Sequence, residues 1–118
     1  MEKTKGYIYL MTNTRATKKG VIKIGMTMRE PTDRLKEIQK KHSKINLVKF
    51  YEFNNTTKAS LLCIESIIRF KFSVKYNHFG NDYFRYAITD RKKQFNEICT
   101  LFDKTVKLAT RILTILGK

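Results

Sequence analysis

The sequence predicts an α+β domain: a small, mostly antiparallel sheet of three to four strands, flanked by helices and followed by a long C-terminal helix. Two observations predict this class. Hydrophobic residues first alternate at the period of two that is typical of strands, and later recur at helical spacing. The resulting order is strand, strand, helix, strand, helix, strand, helix. With 118 residues and 42% hydrophobic content, the chain fits one domain with one modest core.

The first two strands are predicted to form a hairpin from the segments 6–10 and 21–25. A period of two places Tyr7 and Tyr9 on one face of the first strand, and Lys23 of the second strand can share that face. The alternate residues are aliphatic and would form a buried face. The residues between the strands are rich in Thr, Lys and Arg, which favours a loop.

A helix and a third strand follow the hairpin. Pro31 suits the first turn of a helix that runs to about Lys41, and Asp33 is well placed near its N-terminus. Segment 47–53 contains the β-branched and aromatic residues that strands prefer. Residues 54–57 close that strand with turn-forming side chains and supply an N-cap for the next helix.

The remaining elements alternate between helix and short strand. A second helix is predicted over about 58–74, and residues 78–82 indicate a turn before the short extended segment 83–85. Either Thr89 or Asp90 caps the final helix.

Segment 89–118 is predicted to be a long helix packed on the domain formed by residues 1–88. One apolar row consists of Phe95, Ile98, Phe102, Val106, Ala109, Leu113 and Leu116, and a second consists of Leu101, Leu108, Ile112 and Ile115. Two rows are wider than packing on a small sheet requires. Either the rest of the domain wraps this helix, or the second row forms a homodimer interface.

The charge indicates a polyanionic partner. With 25 basic and 10 acidic residues the formal net charge is +15, which suits a polyanion or an anionic membrane surface, and nucleic acid is the first partner to consider. Of the two nucleic acids, we expect DNA rather than RNA. The alternative is a lysine-rich protein whose lysines are merely solvated. The residues predicted to bind nucleic acid are Lys18 and Lys19 in the hairpin loop and Arg69 and Lys71 in the second helix. Basic residues spread through the chain favour contact with the nucleic-acid backbone over reading of base sequence.

Neither end of the sequence indicates a membrane or secreted protein. The N-terminal residues lack the apolar run of a signal peptide, and the apolar stretch 112–116 is far too short to cross a bilayer. We therefore expect an intracellular protein without a membrane partner.

Several short motifs occur in a characteristic order. They are Gly6-Tyr7-Ile8-Tyr9 and Asn13, then Lys23-Ile24-Gly25-Met26-Thr27, Pro31 and Arg34-Leu35, and finally Glu65 and Tyr83-Phe84. About the first three quarters of the chain thus resembles the GIY-YIG nuclease superfamily, in particular the phage and large-DNA-virus branch whose second motif is Lys-Ile-Gly. The resemblance implies the same α+β fold and a Mg²⁺- or Mn²⁺-dependent endonuclease that leaves 5′-phosphate and 3′-hydroxyl ends. For a viral protein, it implies the cytoplasm or nucleus of a host cell.

The resemblance also implies roles for individual residues. Glu65 corresponds to the family's metal-binding glutamate, Arg34 to its arginine and Tyr9 to its first-motif tyrosine. If the family resemblance is set aside, helical spacing places Arg34 at the border of the inward-facing stripe of its helix. Its aliphatic carbons would then pack on the core while its guanidinium stays exposed. Glu65 points towards the core side of its helix, where an ion pair with Arg69 is the alternative.

These residue types suit phosphodiester hydrolysis, which needs a proton acceptor and positive charge around the phosphate. Arg34 offers a planar fork of donors to the phosphate, and Glu65 can hold one hard cation that keeps its waters. Tyr9 would accept the proton from water, although a phenol with a pKa near about 10 is a poor base. Lys23 on the same face could favour the phenolate and contact the phosphate. Tyr7 is either a second catalytic phenol or a core aromatic.

Lys23 stands where the wider family has a tyrosine, and Arg69 stands where many relatives in the branch have a histidine. These departures leave two alternatives to an enzyme. The first is a catalytically inactive module that still holds nucleic acid, and the second is an interaction protein that docks a partner through its C-terminal helix. Retention of Tyr9, Arg34 and Glu65 together favours the enzyme, because a binding module does not need a carboxylate that repels phosphate.

Overall fold

Five strands and three helices make up the fold in the computed structural model, which describes residues 4–13, 19–42, 44–79 and 83–116. The strands are β1 (Thr4–Thr12), β2 (Lys19–Thr27), β3 (Asn46–Thr56), β4 (Asn77–Phe79) and β5 (Tyr83–Ala87). The helices are α1 (Pro31–Gln39), α2 (Lys58–Lys75) and α3 (Arg91–Ile115). The predicted α+β class and long C-terminal helix are confirmed.

The strands form one antiparallel sheet in the order β3-β1-β2-β5-β4. This sheet has five strands instead of the predicted three to four, because Asn77–Phe79 is a strand and not part of a turn. Its residue His78 pairs with Phe84 of β5, and the two ring centroids lie 5.1 Å apart. Cross-strand ring contacts of this kind stabilise a strand that is too short to be recognised from its periodicity.

Local capping fixes where the helices begin. Pro31 occupies the first turn of α1, as predicted. The Thr57 hydroxyl accepts a hydrogen bond from the Ser60 amide at 3.1 Å and so caps α2. At α3 the cap is Asp90, whose carboxylate accepts from the Lys93 amide at 3.1 Å. Each cap satisfies an amide that the helix itself leaves without a partner.

The sheet separates two hydrophobic clusters. We call the face that carries Tyr9 and Lys23 the front face, and the face that carries Ile8 and Ile22 the back face. The predicted aliphatic face is confirmed, since the back face packs against α2 and α3 in the larger cluster. The smaller front cluster consists of Tyr9, Met11, Ile38 and Ile45, with α1 covering that side. The two faces are therefore covered by different helices.

Only one of the two predicted apolar rows of helix α3 contains fully buried residues, and in the second row Leu101 and Ile112 are half-buried, with Leu101 packed on the back cluster. Ile98, Phe102, Val106 and Ala109 pack into the back cluster, whereas Leu116 at the end of the same row is exposed. Ile115 of the second row is 76% exposed. The homodimer stays a prediction. No helix in the described ranges combines the length and apolar character needed to cross a membrane.

Candidate functional site

Three of the predicted catalytic residues meet on the front face. Tyr9 projects from β1 and Lys23 from β2, and the Lys23 ammonium lies 5.8 Å from the centroid of the Tyr9 ring. Arg34 projects from the first turn of α1 and donates a hydrogen bond to the Tyr9 hydroxyl. This bond and a second one to Glu37 raise the pKa of Arg34 despite its partial burial. The Tyr9 side chain is thus flanked by the cations of Lys23 and Arg34, on the side that the strand and helix spacings predicted.

Gly25 makes room for Tyr9. The two residues are paired across β1 and β2, and a Cβ added at Gly25 would overlap the hydroxyl and the adjoining ring atoms of Tyr9. Only glycine therefore lets the Tyr9 ring lie across β2. The glycine of the second motif acts here as a steric requirement of the site.

An ion network on α1 holds Arg34. Glu37 accepts a hydrogen bond from Arg34 at 3.1 Å and another from Arg29. These two guanidinium groups lower the pKa of the Glu37 carboxyl. Glu37 lies three residues after Arg34, so helical spacing could have identified it as a partner, although the sequence analysis did not. The Arg34 head therefore contacts both Tyr9 and Glu37 and is not simply solvated.

Tyr7 lies on the same face but in a different environment. Its ring is buried edge-on against Phe50, with centroids 5.8 Å apart. Its hydroxyl donates to the Glu30 carboxylate at 2.9 Å. Burial, together with Glu30, raises the pKa of Tyr7 to about 12. A phenol held as a donor to a carboxylate keeps its proton, which favours the core-aromatic alternative over a role in proton transfer.

Lys23 is enclosed by aromatic rings. It is only 2% exposed, and its ammonium lies 4.9 Å from the centroid of the Tyr83 ring. The Tyr83 ring also faces His42, at a centroid distance of 5.1 Å. Rings near a buried ammonium offset part of its desolvation. Tyr83 belongs to the motif quoted for the family resemblance, but the sequence analysis did not place it beside Lys23.

Glu65 comes from the opposite layer. It is 7% exposed within the buried stripe of α2, which packs on the back face. The alternative partner predicted from helical spacing is present: Arg69 Nη2 lies 3.3 Å from Glu65 Oε1. Glu65 is therefore presented from the α2 layer, whereas Tyr9 and Arg34 are presented from the front face.

Strand β2 is longer than its neighbour β5. Strand β5 pairs with β2 only as far as Lys23, which lies opposite Tyr83. Residues 24–27 of β2 continue past that point, and in the described registers they pair with β1 on one side only. Ile24, Gly25 and Thr27 are nevertheless buried and Met26 is half-buried, so these residues do not form an exposed edge.

The described residues contain no group of three or more His, Cys, Asp or Glu side chains that could hold a metal ion. A Mg²⁺ or Mn²⁺ ion, however, commonly takes one carboxylate and keeps its waters. Glu65 offers such a hard oxygen donor, and its slight exposure leaves it within reach of solvent. The residue fits a one-carboxylate site, with the Arg69 guanidinium as a competitor for one oxygen.

The predicted nucleic-acid contacts are dispersed. Lys19 at the start of β2 and Lys71 on α2 are exposed, and Arg69 is half-buried beside Glu65. Lys18 lies outside the described residues.

Asn13 links strands β1 and β2 at one end of their pairing. Its side chain accepts a hydrogen bond from the Val21 amide at 2.7 Å and donates one to the Lys19 carbonyl at 3.2 Å.

Comparison with known proteins identifies the family. A family model, the T5orf172 domain, matches residues 6–100, which covers the sheet from the third residue of β1 onwards, α1, α2 and the first turns of α3. All of the site residues described above lie within this match. No curated protein and no solved structure matches the chain. The T5orf172 domain is related to nuclease-like modules. The chain belongs to the T5orf172 domain family.

Proposed function

We propose that this protein is a metal-dependent endonuclease of the GIY-YIG type that hydrolyses phosphodiester bonds of DNA with low sequence specificity, leaving 5′-phosphate and 3′-hydroxyl ends. One observation carries the proposal: Arg34 donates to the Tyr9 hydroxyl, with the Lys23 ammonium beside the same ring. A proton acceptor with positive charge beside it supplies part of what phosphodiester hydrolysis needs from the protein. Membership of a nuclease-associated family adds independent support.

Arg34 and Tyr9 divide the chemistry between them. The side chain of Arg34 is 37% exposed, so its guanidinium can donate to a phosphate while Glu37 holds its orientation. A cation that donates to Tyr9 stabilises the phenolate, which can then accept a proton. Water forms the new P–O bond and passes its proton to Tyr9, while the bond to the 3′ oxygen breaks and that oxygen is protonated from solvent.

Glu65 would hold the Mg²⁺ or Mn²⁺ ion. When bound there, the ion would stabilise negative charge on the leaving 3′ oxygen. Because the ion and Arg34 would act on the same phosphodiester, the scissile phosphate must be reached both from the α2 layer and from the front face.

The charge supports a backbone-binding mode. A net charge of +15 attracts DNA from a distance, and exposed lysines such as Lys19 and Lys71 contact phosphates without reading bases. This favours low sequence specificity, and recognition of a branched or unpaired structure is compatible with it.

A second candidate function is a nucleic-acid-binding module without catalysis. The Glu65–Arg69 ion pair favours it, since a carboxylate engaged by a guanidinium is neutralised and no longer repels phosphate. The enzyme and the binding module differ in one measurable respect, which is whether Glu65 is needed for cleavage or only for stability.

The test is cleavage of single-stranded, duplex and branched DNA and of RNA, with Mg²⁺ or Mn²⁺, by the wild type and by Glu65→Gln. The matched control is Glu97→Gln, because Glu97 is also ion-paired, to Lys75 at 3.0 Å, but lies on α3. We expect metal-dependent cleavage of DNA that only Glu65→Gln abolishes, with binding retained. Binding without cleavage by the wild type in every metal would establish the binding module instead.

A further inference from the structure

We propose that a cleft between α2 and the β4–β5 hairpin binds one unpaired nucleotide of the substrate strand, with its base stacked on Phe70 and its phosphate held by Arg69. The inference rests on the proposed function, since it assigns a position to the strand next to Glu65. It concerns a different surface from the cluster around Tyr9.

The cleft has the size and lining of a nucleotide site. It encloses about 320 Å³ and is lined by Ser66, Arg69, Phe70, Ser73, His78 and Phe84. Its floor is the buried Phe84 ring, against which the His78 ring packs at a centroid distance of 5.1 Å. Pockets for small ligands begin at about 300 Å³ and combine apolar walls with a few polar groups. A single nucleotide is therefore a better match than a longer segment.

Phe70 supplies the stacking surface. Its side chain is 67% exposed at the rim of the cleft, although a large apolar residue such as phenylalanine is normally buried. Val74, one turn further along α2, is also exposed and extends the apolar patch. An exposed ring beside a cationic group is the arrangement that binds single-stranded nucleic acid, because any base can stack on it. Paired bases cannot reach such a ring without leaving their duplex.

Arg69 connects the cleft to the proposed metal carboxylate. Arg69 lines the cleft, and its guanidinium lies 3.3 Å from the Glu65 carboxylate. A guanidinium is well suited to a phosphate because its fork of donors matches two oxygens. Ser66 adds a hydroxyl to the same wall. A nucleotide with its base on Phe70 and its phosphate at Arg69 would thus place the strand next to Glu65.

The test measures binding without cleavage. A fluorescent 12-residue oligothymidylate is titrated with wild type and Phe70→Ala in EDTA, and an abasic strand of the same length and a duplex serve as comparisons. We expect Phe70→Ala to weaken binding of the oligothymidylate about tenfold, in line with the loss of one stacked base. Binding of the abasic strand and of the duplex should be the same in both proteins. Ile115→Ala is the control, since Ile115 of α3 is also largely exposed but does not line the cleft.

Each other outcome overturns the inference. Equal affinity of wild type and Phe70→Ala for the oligothymidylate would exclude stacking, and equal weakening for the abasic strand would indicate a general loss of fold. Phe70→Trp should bind the oligothymidylate about as tightly as the wild type. Weak binding by a folded Phe70→Trp protein would also refute the proposal that a base stacks at this position. Because metal is absent, this result is independent of cleavage: either the cleft or the nuclease proposal can fail while the other stands.

Discussion

Arg34 and Tyr9 join helix α1 to strand β1 through a hydrogen bond on the front face of the sheet. The bond brings together two residues that are far apart in sequence and fixes the phenol oxygen next to a permanent cation. Since α1 also covers the front cluster through Ile38, the contact of Arg34 with Tyr9 and the packing of this face depend on the same helix.

Tyr9 and Tyr7 should differ sharply in their contribution to cleavage. Removing a group that accepts the proton from water costs about 10²–10⁴-fold, so Tyr9→Phe should lower the single-turnover rate at least about 100-fold. Tyr7→Phe should change it less than about tenfold, because the Tyr7 hydroxyl is committed to Glu30 and its pKa is raised to about 12. If the cleavage rate fell equally in the two variants, the proton transfer could not be assigned to Tyr9 alone.

Gly25→Ala should remove activity from a protein that still folds. The added Cβ would displace the Tyr9 ring, and a shift of about 1 Å in a catalytic group can cost about 100-fold in rate. Gly20→Ala is the matched control, because its Cβ would displace Tyr86 on the back side instead. Overpacking should destabilise each variant by about 1–3 kcal/mol in urea unfolding. If Gly20→Ala also lost cleavage per folded molecule, the effect would be one of stability.

Arg69→Gln should strengthen binding of Mn²⁺ to the free protein. The guanidinium competes with an incoming ion for Glu65 and repels it, so its removal should lower the Kd about tenfold at pH 8. Isothermal titration calorimetry measures this directly. Lys71→Gln, also on α2 but exposed, is the control and should leave the Kd nearly unchanged. An unchanged or weaker affinity in Arg69→Gln would remove Glu65 as the metal ligand.

Asp103→Asn should weaken the fold in a pH-dependent way. Asp103 ties α3 to β3, since its carboxylate accepts from Tyr51 at 2.6 Å and lies 2.9 Å from Lys49 Nζ. Burial opposes ionisation of Asp103, but these two hydrogen bonds more than offset it and lower the pKa of the carboxyl. The substitution should cost about 1 kcal/mol at pH 7.

The sign of the pH dependence follows from that lowered pKa. A carboxyl with a lower pKa in the folded state stabilises the fold above its unfolded pKa of about 3.9, and this contribution is lost as the pH falls through the folded value. The difference in free energy of unfolding between wild type and Asp103→Asn should therefore be constant from pH 7 to about pH 5 and shrink below about pH 4. Urea unfolding across this range measures it, and a difference that persists to pH 3 would contradict the assigned hydrogen bonds.

Much of the fold could be predicted because its signals are local. The alternation around Tyr9 and Lys23 assigns faces to the hairpin, and the capping positions Thr57 and Asp90 follow from side-chain chemistry next to an apolar helix. Strand β4 could not be predicted, because three residues are too few to establish a period. It forms through its partner β5, and that pairing is tertiary information.

The site was predictable to a similar extent. The spacing of residues in the sequence predicted that Tyr9 and Lys23 share one face of the sheet and that Arg34 borders the inward side of α1. It could not indicate which face of the sheet α2 covers. Glu65 therefore lies in the other layer, which helical periodicity alone does not reveal. The environment of Tyr7 also depends on a distant residue, since its partner Glu30 is 23 positions away. Contacts of this kind are set by how whole elements pack.

The cluster on the back face is assembled from distant parts of the chain, because Ile8 and Leu10 of β1 pack with Val106 and Ala109 of α3. A ribosome must therefore release the polypeptide as far as α3 before the back face of the sheet can be covered, even though Tyr9 and Arg34 are synthesised early. The growing polypeptide carries these two side chains well before it has a complete fold to align them.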